Sequence, residues 1–270
     1  MKDTIVIKDL EVFANHGVFP EEKKLGQKFV VSAELYTDFS KSVLNDDIAL
    51  SVDYSAVCNE ICAFMHDNTF NLIETAASRT AEFLLEKFPL LSGIKIEVKK
   101  PWAPIGLHVE YTSVILEKHW HNTYIALGSN MGDRYTYLND AVEKLSKLKG
   151  CIVERVSDFI ITKPYGNVGQ EDFLNGALLL KTYLDPFTLL DKLHEIENLA
   201  NRKRTVHWGP RTLDLDIIFY DDIIINTETL TIPHIDMQNR RFVLEPLAQI
   251  SPYVRNPVLN KTVSELLNDL

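Results

Sequence analysis

The chain has 270 residues, 46% apolar and 24% charged, the make-up of an ordinary globular protein, and its length points to roughly two domains rather than one core. A formal charge of −10 excludes a general nucleic-acid binder, whose footprint is basic, and confines any phosphate site to a local patch. No apolar run reaches the length of about 18 residues needed to cross a membrane, the opening MKDTIVIKDLEVF alternates like a strand, and Cys58, Cys62 and Cys151 make no paired framework, so a cytoplasmic protein is expected.

Strand patterns cover 4–14 and 27–39, joined by a Gly- and Pro-punctuated connection. Helical spacing then places Val57, Ile61, Phe64 and Met65 on one face over 54–66, and Leu72, Ala76, Thr80 and Leu84 on one face over 71–88. Strands at 94–100 and 108–118 complete a ββααββ order, which predicts an antiparallel sheet with both helices on one face. Cys58, Cys62 and His66 recur every fourth residue, but on one helix the outer two lie about 12 Å apart, too far for one ion, so they read as a packing face.

The pattern restarts near 118–122 without a Gly/Ser-rich linker, which sets the domains at 1–118 and 122–270. A strand at 123–127, a helix at 133–148, strands at 151–161 and 174–184, a helix at 186–201 and a strand at 213–220 follow. This βαββαβ order is the ferredoxin-like unit, so both halves are α+β, and no period is shared between them.

Two places stand out chemically. In HWGPRTLDLDIIFYDD, strand alternation sends Leu213, Leu215, Ile217 and Phe219 to one side and Asp214, Asp216 and Ile218 to the other. Either the strand simply has one solvated face, or the two carboxylates, about 6–7 Å apart at Cβ on a half-buried strand, would repel unless a hard cation such as magnesium lies between them. Arg202, Lys203, Arg204 and Arg211 concentrate positive charge beside them, and Gly209-Pro210 turns the chain just before the strand. In IKIEVKK, Lys100 shares the parity of Ile94, Ile96 and Val98 and so points along an apolar face, either reaching out at the strand end or held desolvated with a lowered pKa. Glu74 stands among apolar residues in the first turn of the second helix, either as a helix-start acid or as an anchor for paired N–H donors.

ALGSNMGD, NRKR, HWGPRTLDLDIIF and TIPHIDMQNRRFVLEPL, in that order from about residue 123 onward, closely resemble the 6-hydroxymethyl-7,8-dihydropterin pyrophosphokinase family. The resemblance implies transfer of pyrophosphate from ATP to a pterin alcohol, with two magnesium ions on Asp214 and Asp216. It also implies that Arg202, Arg211, Arg204, His234 and Arg240 contact phosphates, that Trp208 closes over the site, and that the pterin lies between Phe173 and Phe242 with Asn175 bonding to it. The sequence carries Ile235 where some relatives place an aromatic ring near the nucleotide, so that contact is not expected.

ANHGVFPEEKKLGQKFVV, SVDY, NLIE and KKPWAPIG resemble the dihydroneopterin aldolase family over about residues 1–118. That resemblance implies a tunnelling-fold domain that cleaves 7,8-dihydroneopterin to glycolaldehyde and 6-hydroxymethyl-7,8-dihydropterin without metal or Schiff base. Glu74 with the backbone at Ile73 would hold the pterin, Lys100 would move the proton, Glu22 would orient the diol and Tyr54 would come from a neighbouring subunit. The expected partners are therefore small pterins, ATP and copies of the same chain in a tetramer or octamer. The alternative reading is an active kinase whose N-terminal half serves only oligomerisation.

Overall fold

The structure, a computed structural model, describes residues 3–164, 171–200 and 211–270, and the chain divides into two compact units, Met1–Trp120 and His121–Leu270. The first unit runs β1 (Asp3–Ala14), α1 (Pro20–Leu25), β2 (Gln27–Thr37), α2 (Ser40–Asn45), α3 (Tyr54–Asp67), α4 (Ile73–Lys87), β3 (Gly93–Lys100) and β4 (Thr112–His119). Its four strands lie in the order β1-β2-β3-β4, every neighbouring pair antiparallel. β2 alternates between buried and half-buried along its length because α3, lying on β1, and α4, lying on β3 and β4, cover one face. Val57, Ile61 and Met65 of α3 and Ala76, Thr80 and Leu84 of α4 are all fully buried against it. This is the expected α+β arrangement with both helices on one face.

The second unit runs β5 (His121–Ser129), α5 (Arg134–Lys147), β6 (Cys151–Val156), β7 (Ile160–Thr162), β8 (Phe173–Thr182), α6 (Pro186–Leu199) and β9 (Asp214–Tyr220). The sheet order β6-β8-β5-β9, antiparallel throughout, is that of a ferredoxin-like fold. A hairpin of β10 (Ile225–Asn226) and β11 (Thr231–Ile232), then α7 (Arg241–Ile250), a hairpin of β12 (Arg255–Asn256) and β13 (Lys261–Thr262), and α8 (Val263–Asn268) complete the unit. α5 and α6 bury Leu138, Leu145, Leu189 and Leu193 with Ile125, Leu127 and Leu178 on one face of the sheet. α7 and α8 bury Val243, Leu244, Leu247 and Leu266 with Tyr124, Leu179 and Phe219 on the other.

Several local expectations are corrected. Phe219 does not share the face of Leu215 and Ile217, because a bulge opposite Tyr124/Ile125 inserts Ile218 as an extra residue and reverses the parity beyond it. The strand expected over 151–161 is broken: Ser157 Oγ accepts the Ala177 N–H at 2.9 Å in place of a ladder carbonyl, and Phe159 packs over Gly176. β4 starts at Thr112 rather than 108, since its partner strand ends at Lys100, before Pro101. Leu72 is not on the buried face of α4; it caps the helix and is half exposed. The elements after Tyr220 carry short periods that the sequence patterns did not reveal.

Candidate functional site

The second unit holds an open cleft on the face that α7 only partly covers. Its floor follows from register. Asn175, Gly128 and Asp214 stand side by side across β8, β5 and β9, and Ala177, Ala126 and Asp216 stand side by side in the row two residues earlier on β5. Small residues in the middle strand leave room above the carboxylates; a Cβ on Gly128 would approach Asn175 Oδ1 to 3.2 Å. All the expected kinase residues within the described segments line this one cleft: Phe173, Asn175, Arg211, Asp214, Asp216, His234, Arg240 and Phe242. The expectations for Arg202, Lys203, Arg204, Trp208 and the Gly209-Pro210 turn lie outside the described residues.

Charge in the cleft is balanced tightly. Burial first, and then the neighbouring Asp214 carboxylate, push Asp216 well above the usual carboxylate range, against the pull of Arg211 and Arg240. Arg211 donates to Asp214. The Arg211 backbone is itself clamped by Asn130, whose Oδ1 accepts the Arg211 N–H at 2.7 Å and whose N–H donates to the Arg211 carbonyl at 3.0 Å. Asn130 thus gives the GSN turn a task that sequence reading missed. Arg240 donates from Nε to Asp236 at 3.0 Å and lies 5.9 Å from the Phe242 ring centre. Burial, then the Arg240 charge, hold His234 below the usual histidine range, so it is neutral near pH 7. Asn175 donates to Thr162 Oγ1 at 2.7 Å, which fixes its amide at the cleft wall.

In the first unit, Glu22 and Lys100 are brought together and the other expected residues are not shown in contact with them. Lys100 Nζ lies 2.5 Å from Glu22 Oε1, and Lys100 is 9% exposed, so it is held inside rather than reaching into water. Lys99 is directed away, to Asp9 at 2.7 Å. Burial raises the Glu22 pKa, but hydrogen bonds from Lys100, the Phe19 N–H and Gln27 outweigh it, and the carboxyl stays below the usual range. Ile73 and Glu74 open α4, with Glu74 exposed, and Tyr54, 61% exposed, is the first residue of α3. The loop ahead of α4 is tied to the Glu22 turn by Lys23 Nζ to Asn71 Oδ1 at 2.6 Å and by the Gly17 N–H to the Phe70 carbonyl at 2.9 Å. His16 and Gln27, both buried beside this pair, were not singled out by sequence; the available signal was a histidine next to Gly17 in the turn after the first strand, and its burial came only with the fold.

The fold and sites thus define a two-unit α+β protein whose second unit presents paired carboxylates, guanidinium groups and aromatic rings around one hollow, a phosphate-handling arrangement. Residues 124–252 match the model of the 7,8-dihydro-6-hydroxymethylpterin-pyrophosphokinase family, and residues 5–117 match that of dihydroneopterin aldolase. The 2-amino-4-hydroxy-6-hydroxymethyldihydropteridine pyrophosphokinase of Bacillus subtilis is 50% identical over 131 residues, 48% of this chain and 78% of that protein. The bifunctional protein FolKE of Lactococcus lactis is 48% identical over 47% of this chain and 37% of its own length. The folic acid synthesis protein FOL1 of Dictyostelium discoideum is 31% identical over 98% of this chain, which spans 44% of that protein. The chain spans less than half the length of these last two relatives. It belongs to the 7,8-dihydro-6-hydroxymethylpterin-pyrophosphokinase family, and the residues ahead of that match are similar to dihydroneopterin aldolase.

Proposed function

We propose that the chain cleaves 7,8-dihydroneopterin in residues 1–118 and, in residues 122–270, transfers pyrophosphate from ATP to the hydroxymethyl group of the pterin released, leaving AMP. The observation that carries this reading is the cleft that gathers Asp214, Asp216, Arg211, Arg240, Phe173 and Phe242. A polyphosphate needs fixed positive charge, and a flat heterocycle needs ring faces.

Asp214 and Asp216 fit a hard divalent cation: two carboxylates on one sheet face, one of them held uncomfortably protonatable without such a charge. Among the described residues no three carboxylate, imidazole or thiolate groups are placed to hold one ion together, so other ligands to such an ion would be phosphate oxygens and water. Bound there, two magnesium ions would offset the triphosphate charge. Arg211 and Arg240 grip phosphate oxygens through charge-assisted hydrogen bonds, and neutral His234 donates without competing for the aspartates. Phe173 and Phe242 hold the pterin between ring faces while Asn175, its amide fixed by Thr162, bonds the ring edge. Arg202, Arg204 and Trp208 complete the phosphate contacts on the strength of the family motif.

In the aldolase unit the carbon–carbon bond breaks, its electron pair flows into the protonated dihydropterin ring, and glycolaldehyde leaves. The site must remove a proton from the departing hydroxyl and return one to carbon, which positioned side chains accomplish without a cofactor. Lys100, directly or through water, moves the proton; Glu22 orients the diol; Glu74 and the Ile73 backbone hold the amino-pyrimidine edge. The exposed Tyr54 acts across a subunit boundary in a cytoplasmic homo-oligomer, a tetramer or octamer.

Incubation with dihydroneopterin and MgATP tests both halves: glycolaldehyde and AMP should appear together. Glycolaldehyde without AMP removes the kinase assignment. AMP formed only when hydroxymethyl-dihydropterin is supplied removes the aldolase assignment and leaves the first unit an oligomerising module.

A further inference from the structure

His16 lies two residues past the end of β1, is fully buried, and packs at a tilt against Phe29 and Phe70 at ring-centre distances of 5.2 and 5.3 Å. Its Nδ1 accepts the Phe70 N–H at 3.2 Å, which leaves the proton of the neutral ring on Nε2. That Nε2–H is buried and meets no protein acceptor. Gln27, also buried, presents the converse: its Nε2 donates to Glu22 Oε1 at 3.0 Å, while its Oε1 meets no donor. Register places Gln27 and Phe29 on the buried face of β2, and Phe29 falls beside Lys100, one step beyond the Val30–Lys99 pair. An orphaned donor and an orphaned acceptor therefore flank the Lys100–Glu22 pair, and among the described residues of the first unit they are the two buried side-chain polar atoms without a partner.

The neighbouring backbone is built for this approach. Gly17 has φ +152° and a Cβ there would lie 2.4 Å from Glu22 Cδ, so only glycine lets the carboxylate come so close to the turn. The turn is locked from both sides, Gly17 N–H to the Phe70 carbonyl and Phe70 N–H to His16.

We propose that His16 and Gln27 together hold one hydroxyl-type oxygen, accepting from His16 Nε2–H and donating to Gln27 Oε1, and that His16 thereby acts as a positioning residue for Lys100 and Glu22. The oxygen belongs either to a trapped water or to the hydroxylated side chain of the substrate. An uncharged donor suits the place: a second cation would compete with Lys100 for Glu22. The proposal rests on the aldolase reading of this unit.

A crystal structure of the protein with and without neopterin tests it directly. An oxygen within hydrogen-bonding distance of both His16 Nε2 and Gln27 Oε1 is expected, as water if present in both crystals and as a ligand hydroxyl if present only with neopterin; no oxygen in either overturns it. Kinetics give a second readout. His16→Phe, which keeps the ring packing, should lower kcat for glycolaldehyde release by about tenfold or more with KM nearly unchanged, and His16→Gln should recover part of that loss. Equal losses in both variants, or an unchanged kcat in His16→Phe, overturn the positioning role. Circular dichroism and an unchanged oligomer size report that the first unit of each variant is folded, and AMP formation from supplied hydroxymethyl-dihydropterin reports the same of the second. If the unaltered protein releases no glycolaldehyde, the aldolase reading itself fails, whatever oxygen the crystals contain.

Discussion

Asp216 sits where solvent is scarce and a second carboxylate is near, so its charge is tolerable only with a cation beside it. Replacing it in Asp216→Ala should cut AMP formation by about 100-fold or more while leaving glycolaldehyde release intact, as assayed on the two products separately. Loss of both activities in a folded variant would contradict separate sites. Lys100→Ala should do the reverse, lowering aldol cleavage by about 100-fold and sparing AMP formation from supplied hydroxymethyl-dihydropterin. His16 gives a pH prediction of definite sign. Burial, then the Lys100 charge, lower its pKa from an ordinary value of 6.5 to about 4, so the unfolded chain binds the proton more readily than the fold does. The stability contributed by neutral His16 is whole above pH 6.5 and is lost as pH falls toward about 4. Denaturant unfolding across that window should show the decline, and His16→Phe should flatten it; an unchanged slope would mean the ring is not the proton acceptor.

At the scale of elements, the cleft depends on how strands are interrupted. The Ile218 bulge lets β9 keep its aspartates on the open face while turning Phe219 into the core beneath α7. The β6/β7 break lets Phe159 lie on Gly176, where a Cβ would come within 2.6 Å of the ring. Gly176→Ala should therefore destabilise the second unit by about 1–3 kcal/mol, measured by denaturant unfolding, because the aromatic ring must shift out of a packed position. A change near zero would show that Phe159 moves freely and that the break has another cause.

For the whole molecule, the two units are compact bodies with their own cores. The proposed aldolase site, however, takes Tyr54 from a neighbouring copy. Mixing Lys100→Ala chains with Tyr54→Ala chains should then restore about a quarter of the native glycolaldehyde rate, since that share of subunit boundaries pairs an intact lysine with an intact tyrosine. No recovery after dissociation and remixing would place the site within a single chain.

Much of this was legible in the residues: the ββααββ and βαββαβ orders came from periodicity, and strand parity alone aimed Asp214, Asp216 and Lys100 correctly. Period and parity are local quantities, so they survive translation into structure wherever a strand is unbroken. They failed at Phe219 and at Ser157, where a bulge and a side-chain hydrogen bond to the partner strand reset the alternation. Only tertiary structure decided that β5 lies between β8 and β9, that α7 stops short of the carboxylates, and that Glu22 reaches Lys100 from 78 positions away in the chain. Those outcomes depend on which faces pack together, and no stretch of sequence contains both partners of such a contact.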